Sequence, residues 1–104
     1  MQALRGRGNR GDRPAVIRVE VPIVNKLGLH ARAAAKLVRI AGAFGSSVQV
    51  EHNGLRVNGK SIMGVMMLAA GRGCRVTLEV DGVDEAEAIG ALVALIADRF
   101  EETE

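Results

Sequence analysis

Apolar and polar positions alternate most clearly over Cys74, Val76, Leu78 and Val80, with Arg75, Thr77 and Glu79 between them. That period of two predicts a strand with one buried face. Ile17, Val19 and Val21 repeat the pattern around Arg18 and Glu20, and Pro22 suits the strand's end. Val48 and Val50 alternate with Gln49 and Glu51. His52-Asn53-Gly54 then reads as a turn into a short strand over Leu55 to Val57, because Asn-Gly favours tight hairpins. Between the strands the period lengthens. Ala33, Leu37, Ile40, Ala41 and Phe44 fall on one helical stripe, with Arg32, Lys36 and Arg39 off it. Gly42 and Gly45 mark the stop. Ser61 precedes IMGVMMLAA, a short helix closed by Gly71. Asp84 and Glu87 have capping-box spacing, and Ile89, Leu92, Val93, Ile96 and Phe100 continue as an amphipathic helix. Glu101, Glu102 and Glu104 read as a frayed acidic tail. The order is β-α-β-β-α-β-α. One-faced strands predict a two-layer α/β sandwich, with three helices stacked on one face of a four-stranded, mostly antiparallel sheet.

Residues 1–14, MQALRGRGNRGDRP, show no apolar period and read as a disordered basic extension ahead of a folded domain over 15–104. Four arginines against one aspartate give this leader +3. The other ninety residues hold ten basic and eleven acidic side chains, a net −1, so the overall +2 misstates the folded part. A near-neutral domain argues against a nucleic-acid-binding surface, except through the leader. The leader itself reads as a solvated tail or as a basic arm touching RNA or an acidic partner. A start codon set too far upstream would look the same.

The chain has 104 residues, 48 % of them hydrophobic, but only two phenylalanines and no Trp or Tyr, so its core must be aliphatic. No apolar run approaches the roughly 20 residues of a membrane span, and the start lacks the apolar stretch of a secretion signal. Cys74 is the lone cysteine, which fits a reducing cytoplasm, and its register reads as a small core residue. One Cys with His30 and His52 cannot close a four-ligand zinc site, and no metal or cofactor is expected. His52 reads as a solvated turn residue.

His30 stands where a loop meets a helix. The first helical N–H groups lack partners there and, with the aligned peptide dipoles, favour an anion. A neutral imidazole supplies a nucleophilic nitrogen. The backbone N–H groups of Ala31 and Arg32 and the Arg32 guanidinium could stabilise phosphoryl oxygens. Gly28 gives the loop backbone freedom. Taken alone, a histidine in this place reads as a capping or packing residue.

Its neighbours change that. Asn25-Lys26-Leu27-Gly28-Leu29-His30-Ala31-Arg32 resembles the active-site signature of HPr, the histidine-containing phosphocarrier family of the bacterial phosphotransferase system. Lys60-Ser61-Ile62-Met63-Gly64-Val65-Met66-Met67-Leu68 resembles the family's second motif, around a regulatory serine. The resemblance covers about Ala15 to Phe100. It implies an open-faced β-sandwich and a carrier rather than an enzyme with its own pocket. His30 would accept a phosphoryl group on Nδ1 from enzyme I and pass it to an EIIA-type protein, with Arg32 orienting the group. Ser61 would be the site of an ATP-dependent HPr kinase/phosphorylase, and Ile62 and Met66 would dock partners. Where the sugar branch usually has proline after the arginine, this chain has Ala33, and Ala34-Ala35-Lys36-Leu37 follow as in members of the nitrogen-related or regulatory branch.

Ser61 is also a favoured helix N-cap, a role compatible with phosphorylation at a helix start. Met63, Met66 and Met67 spread over more than one helix face, which suits a split between core and docking surface. Two other functions share the element order or the phosphate chemistry. A ferredoxin-like nucleic-acid-binding module would need stacking aromatics on its strands. A small acylphosphatase-like enzyme would use an arginine and backbone N–H groups around phosphate.

Overall fold

The computed structural model describes residues 16–104; the expected leader lies outside the described residues. Strands β1 (Ile17–Pro22), β2 (Ser47–His52), β3 (Leu55–Asn58) and β4 (Arg75–Asp81) alternate with helices α1 (Ala31–Gly42), α2 (Ile62–Met67) and α3 (Glu85–Ala97) in the expected order. The sheet runs β1-β4-β2-β3 and every pairing is antiparallel. Val80 faces Ile17 on one side and Val48 on the other, while Leu78 lies between Val19 and Val50. Val21, Val48, Val50, Val76, Leu78 and Val80 are buried beneath the helices.

The opposite sheet face is open and ionic. Arg18 pairs with Glu79 at 2.8 Å and Glu51 at 3.3 Å, Arg56 also pairs with Glu79, and Arg75 meets Glu20 at 3.0 Å. Exposed pairs of this kind contribute little stability, about 0–1 kcal/mol each. Neither phenylalanine lies on a strand, so this face offers no base a stacking platform. The core lies on the helical side. Ala33, Ala34, Leu37 and Ala41 of α1, Val65 of α2, and Ala88, Leu92, Leu95 and Ile96 of α3 are buried in it. Small residues dominate the buried side of α1, which lets a helix approach a sheet closely.

His52 and Leu55 pair directly across Asn53 and Gly54, whose φ values of 51° and 81° make a two-residue hairpin turn. Other local expectations are corrected. Asp84 caps α3 by position but makes no side-chain cap. Its carboxylate instead accepts the Gly45 N–H at 2.9 Å, the Ser46 N–H at 3.0 Å and the Ser46 hydroxyl. The Ser46 hydroxyl bond, then that from Gly45, lowers the Asp84 pKa from its ordinary 3.8, against burial. Helix α2 stops at Met67, and Ala69 turns left-handed at φ 51° before Gly71 is reached. Strand β4 begins at Arg75, leaving Cys74 just before it, half-buried against the core. Phe100 is not on α3. The helix ends at Ala97, and Arg99, Phe100 and Glu101 form a left-handed turn, with φ of 57°, 54° and 66°. Phe100 is nevertheless completely buried.

Candidate functional site

The loop between β1 and α1 is pinned before it reaches the site. The Ile23 N–H donates to the Cys74 carbonyl at 2.8 Å, and the Leu29 N–H to that of Ala70 at 2.9 Å. Gly28 has φ +69°, and a Cβ on it would stand 2.5 Å from the Ala70 oxygen and 2.8 Å from the Gly71 Cα. The glycine is thus required by backbone angle and by close approach to the segment after α2.

His30 is the N-cap of α1. Its Nδ1 accepts from the Arg32 N–H at 3.3 Å, while Nε2 lies 2.5 Å from Glu102 Oε2. The side chain is 27 % exposed, so the ring is reachable. Arg32 lies exposed on the first turn, and its guanidinium has no partner among the described residues. Ala33, the departure from the sugar-branch pattern, is completely buried, and α1 starts regularly around it. The first turn of α1 holds no acidic side chain, and the carboxylate of Glu102 meets the helix's positive end from across the groove, at His30.

The far wall is the segment after α3. Contrary to the expected fraying, it is tied down at several points. The Lys26 N–H donates to the Glu104 carbonyl at 2.5 Å, Lys26 Nζ meets Glu104 at 3.1 Å, and Lys36 Nζ donates to the Phe100 carbonyl at 2.7 Å. Between this wall and His30 is a groove of about 870 Å³, lined by His30, Arg32, Lys26, Lys36, Glu102 and Glu104 among others.

Two residues of the site went unassigned in the sequence, Asn25 and Glu102. Asn25 is buried, and its Nδ2 donates to the Gly28 carbonyl at 2.9 Å and to Glu102 Oε1 at 3.0 Å. Two acceptors at one end of the side chain fix the amide's orientation and leave Oδ1 as a buried acceptor without a partner among the described residues. Burial raises the pKa of Glu102. Hydrogen bonds from Asn25 and His30 and the nearby charge of Lys36 outweigh that and hold it below its ordinary 4.5. Asn25 lies inside a recognised motif, whereas Glu102 belongs to an acidic run with no local signal.

Ser61 caps α2 as expected, its Oγ accepting the Gly64 N–H at 3.1 Å. Val65 and Leu68 face the core, while Ile62 (43 %), Met63 (73 %), Met66 (41 %) and Met67 (65 %) are exposed. The three methionines therefore do not divide between core and surface as expected: all are exposed beside Ile62, and Val65 and Leu68 supply the core contacts of this segment. His52 is half-exposed, with Nδ1 3.2 Å from the Arg75 carbonyl, and takes no part in the groove. Among the described residues no three His, Cys, Asp or Glu side chains gather into a metal-binding group.

Comparison with known proteins identifies the family. The family model described as "PTS HPr component phosphorylation site" matches residues 17–98. A phosphocarrier protein HPr of Cupriavidus necator is 64 % identical over 85 residues, covering 82 % of this chain and 96 % of that protein. One from Neisseria meningitidis is 54 % identical over 89 residues, 86 % of this chain and all of the relative. The crystal structure of an HPr from Thermoanaerobacter tengcongensis superposes with a TM-score of 0.81 at 48 % identity, covering 85 % of this chain and 99 % of that one. By the family model and these relatives, the open-faced antiparallel sandwich over residues 17–98 is a small phosphocarrier domain. The chain belongs to the HPr family, the phosphocarrier proteins of the phosphotransferase system.

Proposed function

We propose that His30 is the phosphoryl acceptor and donor of this carrier. It takes the group on Nδ1 from a phosphohistidine of enzyme I, which is charged by phosphoenolpyruvate, and passes it to a histidine of an EIIA-type protein. The observation that carries this reading is the Nδ1 atom of a half-exposed ring facing the first-turn N–H of Arg32 at the start of α1. In transfer, the Nδ1 lone pair forms the new P–N bond as the bond to the donor nitrogen breaks, and that bond's electron pair leaves with the donor. The phosphoryl oxygens then take over the N–H groups of Ala31 and Arg32, and the free Arg32 guanidinium supplies the counter-charge. Helix-end stabilisation of an anion is modest, about 0.3–2 kcal/mol, which leaves the group transferable.

Ile62 and Met66, with their exposed neighbours Met63 and Met67, form the docking surface in this reading. Ser61 is the site of an HPr kinase/phosphorylase. A phosphate there adds about two negative charges beside that surface and repels an acidic partner. Among the described residues no helix is long and apolar enough to cross a membrane, and we place the exchange in the cytoplasm, where the lone thiol of Cys74 stays reduced.

Incubation with enzyme I and labelled phosphoenolpyruvate tests the reading. Acid-labile label should appear on the wild type, be absent from His30→Ala, and move to added EIIA protein. EIIA proteins of the sugar and nitrogen-regulatory branches, offered in parallel, separate those two branches. Ser61→Asp should take label more slowly than the wild type. Equal labelling of the wild type and His30→Ala would remove His30 from the account.

A further inference from the structure

We propose that Glu102 is a positioning residue for phosphoryl transfer, held in place by Asn25 and acting through Nε2 of His30. This rests on His30 being the phosphoryl acceptor. A carboxylate only accepts hydrogen bonds, so Nε2, 2.5 Å from it, carries the proton. The Arg32 N–H only donates, so Nδ1, 3.3 Å away, presents its lone pair. Both contacts select one neutral tautomer, the one with its nucleophilic nitrogen turned to the helix start. Asn25 is fully buried and spends one Nδ2 hydrogen on Glu102, so the carboxylate is fixed by the interior of the loop rather than by solvent.

The chemistry of the loaded ring follows. When Nδ1 bonds to phosphorus, the Nε2 proton stays on the ring, which becomes a cation. Transfer onward breaks the P–N bond and returns its electron pair to Nδ1, so the leaving group is neutral imidazole. Were Nε2 to lose its proton, the leaving group would be imidazolate, a far poorer one. A carboxylate at Nε2 keeps the proton in place and extends efficient transfer to higher pH. Glu102 does this among charges of both signs. Lys26 and Arg32 from the loop and α1, Lys36 from α1, and Glu101 and Glu104 from its own segment all border the groove.

Two measurements on the full chain test this. In the unphosphorylated protein, two-bond proton–nitrogen correlation of the His30 ring should show a protonated Nε2 with a strongly downfield, slowly exchanging proton, lost in Glu102→Gln. In the phosphorylated protein, the alkaline limb of the transfer rate to EIIA protein should fall about one pH unit lower in Glu102→Gln, a loss of up to about tenfold beyond that limb. Glu87→Gln, the same charge change on exposed α3, should leave the profile in place. Absence of the downfield proton from the wild type overturns the proposal. So do coincident pH profiles of the wild type and Glu102→Gln, which would leave the contact merely structural. If the wild type takes no label while the ring signal is present, the carrier reading itself has failed, and the role in transfer fails with it.

Discussion

At the scale of single residues, Gly28 and Ser61 set the geometry of the two motifs. Gly28→Ala combines a positive φ with a clash against the Ala70 and Gly71 backbone. It should cost about 1–3 kcal/mol in urea unfolding and should slow phosphorylation of His30, two residues on. Ser61→Ala removes the hydroxyl that accepts the Gly64 N–H. The expected loss is about 1 kcal/mol, read as a lower urea midpoint with an unchanged slope. Both residues could be recognised from the chain alone, since each lies in a continuous motif. Glu102 could not. Its partners His30 and Asn25 are 72 and 77 positions away, and an acidic residue near other acidic residues has no period that points at them.

Among elements, Asp84 does work that local spacing concealed. Asp84 and Glu87 look like a capping box, yet the carboxylate leaves its own helix and holds Gly45 and Ser46 between α1 and β2. Competition for one acceptor decided this, because the buried Ser46 offers both an N–H and a hydroxyl. The folded protein keeps Asp84 ionised to lower pH than the unfolded chain does. Between the two values the unfolded chain binds more protons, so this contribution is complete above about pH 4 and is lost as the pH falls through the lowered folded-state value. The gap in thermal midpoint between wild type and Asp84→Asn should therefore be widest near neutrality and narrow as the pH falls below about 4. The strands and the hairpin were legible because alternation and Asn-Gly are local signals. The end of α3 was not, because the apolar spacing runs through to Phe100 while the backbone has already turned left-handed at Arg99.

Over the whole molecule, Phe100 links the core to the site. Its ring is fully buried, and its carbonyl accepts from Lys36 on α1. Phe100→Ala should cost about 3–5 kcal/mol in chemical denaturation, more than Ser61→Ala, and should also loosen the groove's far wall. A drop in stability well below that range would mean that the sandwich closes over the gap. The sheet's open face should be far more tolerant, since its ion pairs are exposed and a lost pair is replaced by water.

The anchoring of Glu104 to Lys26 bears on how the protein is handled at the bench. A purification tag or fluorescent partner fused behind Glu104 would begin one hydrogen bond from the loop that carries His30. Such a fusion would stand at the mouth of the groove that holds His30, where the proposed transfer takes place. The expected result is slower phosphoryl transfer with folding intact, and a tag placed ahead of β1 makes the fairer assay reagent.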